Sequence, residues 1–115
     1  MLVPSFTFIS TINSIVFNGA KPIFVDIEPE TLNLDPIDLE KKITKKTKMI
    51  LPVHFGGLPI NIKNIKNIAK KNNLLLITDA AHACGAKIDK QKIGSEADCV
   101  CFSFHPVKNL AMPKG

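Results

Sequence analysis

Apolar residues follow helical spacing in some segments of this chain and form short continuous runs in others. The first helix is predicted from four apolar residues at positions i, i+4, i+7 and i+8. They are Phe8, Ile12, Ile15 and Val16. The polar residues between them, Thr11 included, would then face solvent. Asn18-Gly19 predicts the end of this helix, because glycine adopts the left-handed conformation at little cost.

The same patterns predict two further helices and four strands. One helix begins at Asp35-Pro36, an N-cap followed by a first-turn proline, and the other ends at Asn72-Asn73. The strands are predicted at residues 23–25, 49–53, 74–78 and 99–102, with no element before Ser5. This alternation predicts an α/β domain, a three-layer sandwich with a mostly parallel sheet. The wholly apolar run 74–77 predicts a sheet covered on both faces.

Composition restricts the possible partners. The chain has 115 residues, 45% hydrophobic, and a net charge of +5. All basic residues are lysines, clustered in 41–48 and 63–71 at helical spacing, which indicates solvated helix faces and not a nucleic-acid surface. No apolar run reaches the length of a membrane span, so no membrane partner is predicted.

The three cysteines predict reduced thiols and therefore a cytoplasmic protein. Cys84, Cys99 and Cys101 are odd in number and lie in or beside apolar runs, where burial is expected. Their spacing lacks the usual C-x2–4-C pattern of structural zinc, and no metal site is predicted.

Side chains that could take part in catalysis or cofactor binding follow two of the predicted strands. Asp79 comes after one, and Ser103 and Lys108 come after another. Strand ends of a parallel sheet meet at one edge, where ligands bind. A carboxylate, a hydroxyl and an amine there predict an aldehyde cofactor held by lysine as a Schiff base.

A structural role competes with the chemical one at each of these residues. Asp79 would also suit an N-cap, Lys108 a solvated loop, and Phe8 the core. Ser103 and His105 would share a face if the last strand continued through them, as simple strand-end polarity. His54, before Gly56-Gly57, is predicted to be structural.

Several ordered segments together resemble one enzyme family. Among them are Val3-Pro4-Ser5-Phe6-Thr7-Phe8 with Asn13, Asp79-Ala80-Ala81-His82 and Phe102-Ser103-Phe104-His105-Pro106-Val107-Lys108-Asn109. Others lie at residues 19–26, 32–35 and 50–54. The chain resembles, end to end, the DegT/DnrJ/EryC1/StrS sugar aminotransferases, which are pyridoxal-phosphate enzymes of fold type I.

The resemblance implies a role for five residues. Lys108 would bind pyridoxal phosphate as a Schiff base and carry the proton between carbons. Asp79 would pair with the pyridinium nitrogen, which keeps the ring an electron sink. His82 would lie near the phenolic oxygen, Ser103 would contact the phosphate, and Phe8 would stack on the ring.

The resemblance also implies a larger protein. Residues 1–115 would be part of the PLP-binding large domain, with a phosphate-binding Gly-Thr/Ser segment upstream and a small domain beyond the loop at Lys114-Gly115. The reaction would transfer an amino group, typically from glutamate, to a nucleotide-linked keto sugar in a homodimer.

Three alternatives remain open from the sequence. A sugar dehydratase of the same family would have histidine in place of Lys108. A receiver-like signalling module would need an acidic pair after its first strand, which Val3-Pro4-Ser5-Phe6 does not supply. An inactive fragment with family sequence is the third.

Overall fold

The computed structural model describes residues 1–113, so the predicted loop at Lys114-Gly115 lies outside the described residues. The helices are α1 (Ile9–Phe17), α2 (Pro36–Lys42) and α3 (Ile62–Lys71), and a 3₁₀ turn lies at Phe55–Gly57. The strands are β1 (Leu2–Pro4), β2 (Ile23–Val25), β3 (Met49–Ile50), β4 (Leu75–Asp79), β5 (Lys87–Ile88), β6 (Gln91–Lys92) and β7 (Cys99–Cys101).

Five strands form a sheet in the order β2-β1-β3-β4-β7, and every neighbouring pair is parallel. Successive residues of β1 point to opposite faces, which divides the core in two. Leu2 packs in a cluster with α2 and α3, whereas Val3 packs against Ile15 of α1. This confirms the three-layer α/β architecture with a parallel sheet.

The predicted apolar face of α1 is confirmed in part, since Ile15 is buried and the half-buried Ile12 packs beside it. Phe8 and Val16 are exposed, and the buried residues of this helix are Thr11 and Ile15. Thr11 is the polar residue that takes a buried position, and its hydroxyl donates a hydrogen bond to Asp79. The predicted end of α1 is confirmed, since Asn18 is the C-cap and Gly19 has φ +70°.

The ends of α2 and α3 follow their local signals. The Asp35 carboxylate accepts a hydrogen bond from the Ile37 N–H, with Pro36 in the first turn. Helix α3 ends at the C-cap Asn72, and Asn73 has a φ of 52°. Both predictions are confirmed because capping depends on residues adjacent in sequence.

Two strands near proline differ from the prediction. No element is predicted before Ser5, yet β1 lies inside the sheet and is fully buried. Three residues ending in a proline are too few to show a period. Conversely, β3 ends at Ile50 and not at Val53, which forms only an isolated bridge with Asp79. Pro52 interrupts the ladder because it has no N–H to donate.

The region around β7 also departs from the prediction. The hairpin β5–β6 is not predicted, because its turn, Asp89-Lys90, has two positive φ angles without a glycine to indicate them. Strand β7 ends at Cys101, one residue earlier than predicted. Cys99 and Cys101 are exposed on this outer strand, which contradicts the expected burial. Leu75 of β4 is also 54% exposed, so one sheet face is only partly covered within residues 1–113.

Candidate functional site

A cavity of about 570 Å³ opens at the carboxyl ends of the sheet strands. Its walls come from the segments that follow β1, β3 and β7 and from the end of β4. All five site residues that are predicted from the sequence line this cavity. They are Phe8, Asp79, His82, Ser103 and Lys108. The predicted convergence of these side chains at one sheet edge is therefore confirmed, as expected for a parallel sheet.

Asp79 is the half-buried last residue of β4, and both of its carboxylate oxygens accept hydrogen bonds. Oδ2 accepts from the Thr11 hydroxyl at 2.8 Å, and Oδ1 accepts from the Ala81 N–H at 3.0 Å. The second bond is the cap-like contact that the structural alternative predicts, although a turn and not a helix follows. The carboxylate is thereby fixed against the cavity from two sides.

An aromatic wall supports His82. The Phe6 and Phe55 rings lie 4.6 Å apart, and the His82 ring meets Phe55 edge-on at 6.3 Å. Phe8, at the N-cap of α1, is 70% exposed and borders the same cavity. The core alternative for Phe8 is therefore wrong, and its ring is accessible to a flat ligand.

The Lys108 loop is a series of turns and not a continued strand. The Lys108 N–H donates to the His105 carbonyl at 2.8 Å, and the His105 N–H approaches Ser103 Oγ at 3.4 Å. Ser103 and His105 both line the cavity, but a turn places them there and not a shared strand face. The Asn109 amide donates to the Cys84 carbonyl at 2.6 Å, which joins this loop to the loop that carries His82.

His54 lies beneath the cavity and is fully buried, as the structural prediction expects. Its Nδ1 accepts from the Ile60 N–H, so Nε2 carries the proton and faces Glu96 Oε1 at 3.3 Å. Burial lowers the pKa of His54, outweighing the attraction of Glu96. Desolvation would raise the pKa of Glu96, but backbone N–H donors beginning with Gly94, together with His54, lower it.

Sequence reasoning missed the residues that support the site. The helical pattern predicts Thr11 on the solvent face, although it lies four residues after Thr7 and the two hydroxyls are 3.1 Å apart. This i, i+4 spacing of hydroxyls is a signal in the sequence, but their partner Asp79 is 68 positions from Thr11. Phe55 carried no signal beyond its place after a predicted strand.

Two further findings apply to residues 1–113. No group of three or more histidine, cysteine or acidic side chains there is arranged to hold a metal ion. No helix in this range combines the length and the hydrophobicity that a membrane crossing requires.

The fold and the cavity define a class: parallel α/β proteins that bind ligands at the carboxyl edge of the sheet. The chain belongs to the DegT/DnrJ/EryC1/StrS aminotransferase family, whose model matches residues 1–115. The family predicted from the sequence is therefore confirmed.

Curated relatives are about two fifths identical to this chain over the aligned residues. The spore coat polysaccharide biosynthesis protein SpsC of Bacillus subtilis is 44% identical over 109 residues, covering 95% of this chain and 28% of SpsC. A UDP-N-acetyl-3-dehydro-alpha-D-glucosamine 3-aminotransferase of Acidithiobacillus ferrooxidans is 44% identical over 110 residues, covering 96% of this chain and 30% of that enzyme. The chain thus spans less than a third of the length of these relatives.

Solved structures agree closely with this fold. PseC of Helicobacter pylori, an aminotransferase involved in the biosynthesis of pseudoaminic acid, matches with a TM-score of 0.93 at 30% identity, covering 96% of this chain and 29% of PseC. The PLP form of Spr1654 from Streptococcus pneumoniae matches with a TM-score of 0.91 at 33% identity, covering 96% of this chain and 32% of Spr1654.

Proposed function

We propose that this chain supplies the cofactor-binding part of a pyridoxal-phosphate-dependent aminotransferase that acts on a nucleotide-linked keto sugar. The observation that carries the proposal is the single cavity shared by Phe8, Asp79, His82, Ser103 and Lys108. Family membership and the PLP form of Spr1654 support the same cofactor.

The residues around the cavity fit pyridoxal phosphate. The cofactor is a flat ring with a basic nitrogen, an aldehyde and a phosphate, and when bound it withdraws electrons from the substrate carbon. The exposed ring of Phe8 offers a stacking surface, and Asp79 offers a fixed carboxylate for the protonated ring nitrogen. Ser103 provides a hydroxyl for the phosphate.

Lys108 supplies the amine that this site needs. Its side chain reaches the cavity and is half-buried, and it forms no ion pair with a carboxylate within residues 1–113. We propose that Lys108 Nζ attaches the cofactor and then carries a proton to and from the substrate. We propose that His82, whose ring lies edge-on to Phe55, contacts the phenolic oxygen of the cofactor.

The substrate and the assembly are proposed more broadly. The Acidithiobacillus relative is named for a UDP-linked sugar and SpsC for polysaccharide synthesis, which favours a nucleotide sugar with an amino-acid donor such as glutamate. We further propose a homodimer as the complete protein, from the family resemblance. The unpaired thiols of Cys84, Cys99 and Cys101 favour a cytoplasmic location.

The proposal is tested on the complete gene product with added pyridoxal phosphate. Wild type is expected to gain visible absorbance and to convert a nucleotide keto sugar and glutamate into an amino sugar. Lys108→Ala should lose both, because no other amine would hold the cofactor. Asp79→Ala should retain some cofactor and lose most turnover.

Lys45→Ala is the matched control, since Lys45 is exposed and outside the cavity. It should keep the absorbance and the activity of wild type. Unchanged absorbance in Lys108→Ala would contradict the lysine assignment. A dehydrated keto sugar as the product, with no amino sugar, would contradict aminotransfer.

A further inference from the structure

Thr11 is the buried polar residue of α1 that points at the proposed cofactor site. Only 5% of its surface is exposed, whereas the other polar residues of α1, which are Ser10, Asn13 and Ser14, are exposed. Its Oγ1 donates to Asp79 Oδ2 at 2.8 Å, a bond between the α1 layer and the end of β4. Thr11 does not line the cavity itself and can therefore act only through Asp79.

The hydrogen bonds around Thr11 have one consistent direction. The Thr7 hydroxyl donates to Thr11 Oγ1 at 3.1 Å, which leaves the Thr11 proton for the Asp79 carboxylate. The Ala81 N–H occupies the other carboxylate oxygen. With one donor on each oxygen, the carboxylate plane cannot rotate without breaking a bond, and its remaining lone pairs are left for a ligand.

We propose that Thr11 is a positioning residue that orients the Asp79 carboxylate toward the cofactor's ring nitrogen. This inference rests on the function proposed above and assigns a role to a residue outside the cavity. A misaligned carboxylate would hold the ring proton less well, so the cofactor would withdraw electrons less strongly. If Thr11 only anchored α1 to the sheet, its substitution would lower the stability of the protein and leave the cofactor unaffected.

The test compares Thr11→Val with Thr11→Ser in the complete gene product. Valine matches the shape of threonine but cannot donate, whereas serine keeps the hydroxyl. Thr11→Val should lower kcat by about 10- to 100-fold with little change in KM, the scale of one lost hydrogen bond to a charged group. Thr11→Ser should restore most of that loss.

A second readout does not depend on turnover. The pH midpoint of the bound cofactor's visible absorbance should move upward in Thr11→Val. A less protonated ring carries less positive charge, so it repels the proton on the Schiff-base nitrogen less. The dissociation constant for pyridoxal phosphate should also rise. If Thr11→Val does not fold, Thr11→Ala removes the same hydroxyl and takes its place.

Thr78→Val is the matched control. Thr78 is buried one residue from Asp79, and its hydroxyl donates to Glu96 Oε1 at 3.2 Å on the opposite sheet face. This variant should lose thermal stability while the absorbance midpoint stays at the wild-type pH.

Two results would overturn the inference. A Thr11→Val midpoint and kcat equal to wild type would reject the role of Thr11 and leave the proposed function intact. A wild-type protein with no cofactor absorbance would reject both.

Discussion

At the scale of single residues, the buried pair of His54 and Glu96 makes stability depend on pH. Folding lowers the pKa of His54 below its ordinary value of 6.5, so the unfolded chain takes up a proton first as the pH falls. The free energy of unfolding should therefore decrease as the pH is lowered below 6.5. Glu96 also decreases the free energy of unfolding as the pH falls, but only below pH 4.5, because folding lowers its pKa from 4.5.

Denaturant titrations at several pH values between 7 and 5 would check this dependence. One proton contributes a slope of up to about 1.4 kcal/mol per pH unit. His54→Gln should be less stable at pH 7 and lose most of the slope, since glutamine does not titrate. His105→Gln, at an exposed histidine, should keep the slope. A wild-type stability that stays constant from pH 7 to 5 would contradict the assignment.

At the scale of elements, the 3₁₀ turn at Phe55–Gly57 supports the loop that carries His82. Gly57 has φ +85°, and a Cβ added there would lie 2.7 Å from the His82 carbonyl oxygen. Gly56 has φ +58° but open space around its Cβ position. Alanine at either glycine adopts a strained conformation, but only at Gly57 does it also collide with backbone.

Gly57→Ala should therefore cost more stability than Gly56→Ala. Gly56→Ala, the control, should lower the free energy of unfolding by about 1–2 kcal/mol from the left-handed conformation alone. Gly57→Ala should lose a further 1–3 kcal/mol, roughly the cost of overpacking, and should shift the His82 loop. Urea unfolding of the two variants measures the difference. Equal losses would show that the His82 loop moves aside freely.

The elements also show how far the sequence alone could predict this molecule. Helices α2 and α3 were predictable because their caps, such as Asp35, act on residues two or three positions away. The burial of Thr11 on α1 was not, because its hydroxyl bonds a carboxylate 68 positions along the chain. The β5–β6 hairpin was missed because Asp89-Lys90 adopts positive φ angles that usually require glycine or asparagine.

The site was more predictable than some of the elements that build it. Asp79 is the last residue of β4 and Lys108 lies in the loop after β7, so the topology of the parallel sheet brings both to one edge. The supports of the site could not be predicted, since the Phe55–His82 contact and the Asn109–Cys84 bond each join loops more than 20 residues apart.

At the scale of the whole molecule, large apolar side chains remain on the surface around α1. Phe17 at the end of α1 is 85% exposed. Phe24 in the outer strand β2 is half exposed, and it pairs in register with Val3, on the sheet face that α1 covers. Exposed apolar side chains on one side of a small chain promote association.

The 115-residue chain expressed by itself should therefore self-associate as its concentration rises. The double variant Phe17→Ser with Phe24→Thr should reduce this association, measured by sedimentation velocity across a concentration series. Stability should change little at Phe17, by about 0.5 kcal/mol, because the ring is already in water. Asn18→Ser, an exposed polar change beside Phe17, is the control and should associate like wild type. A wild-type chain that stays monomeric throughout would show that the two rings do not attract other copies, and the apolar surface around α1 would then have no bearing on assembly.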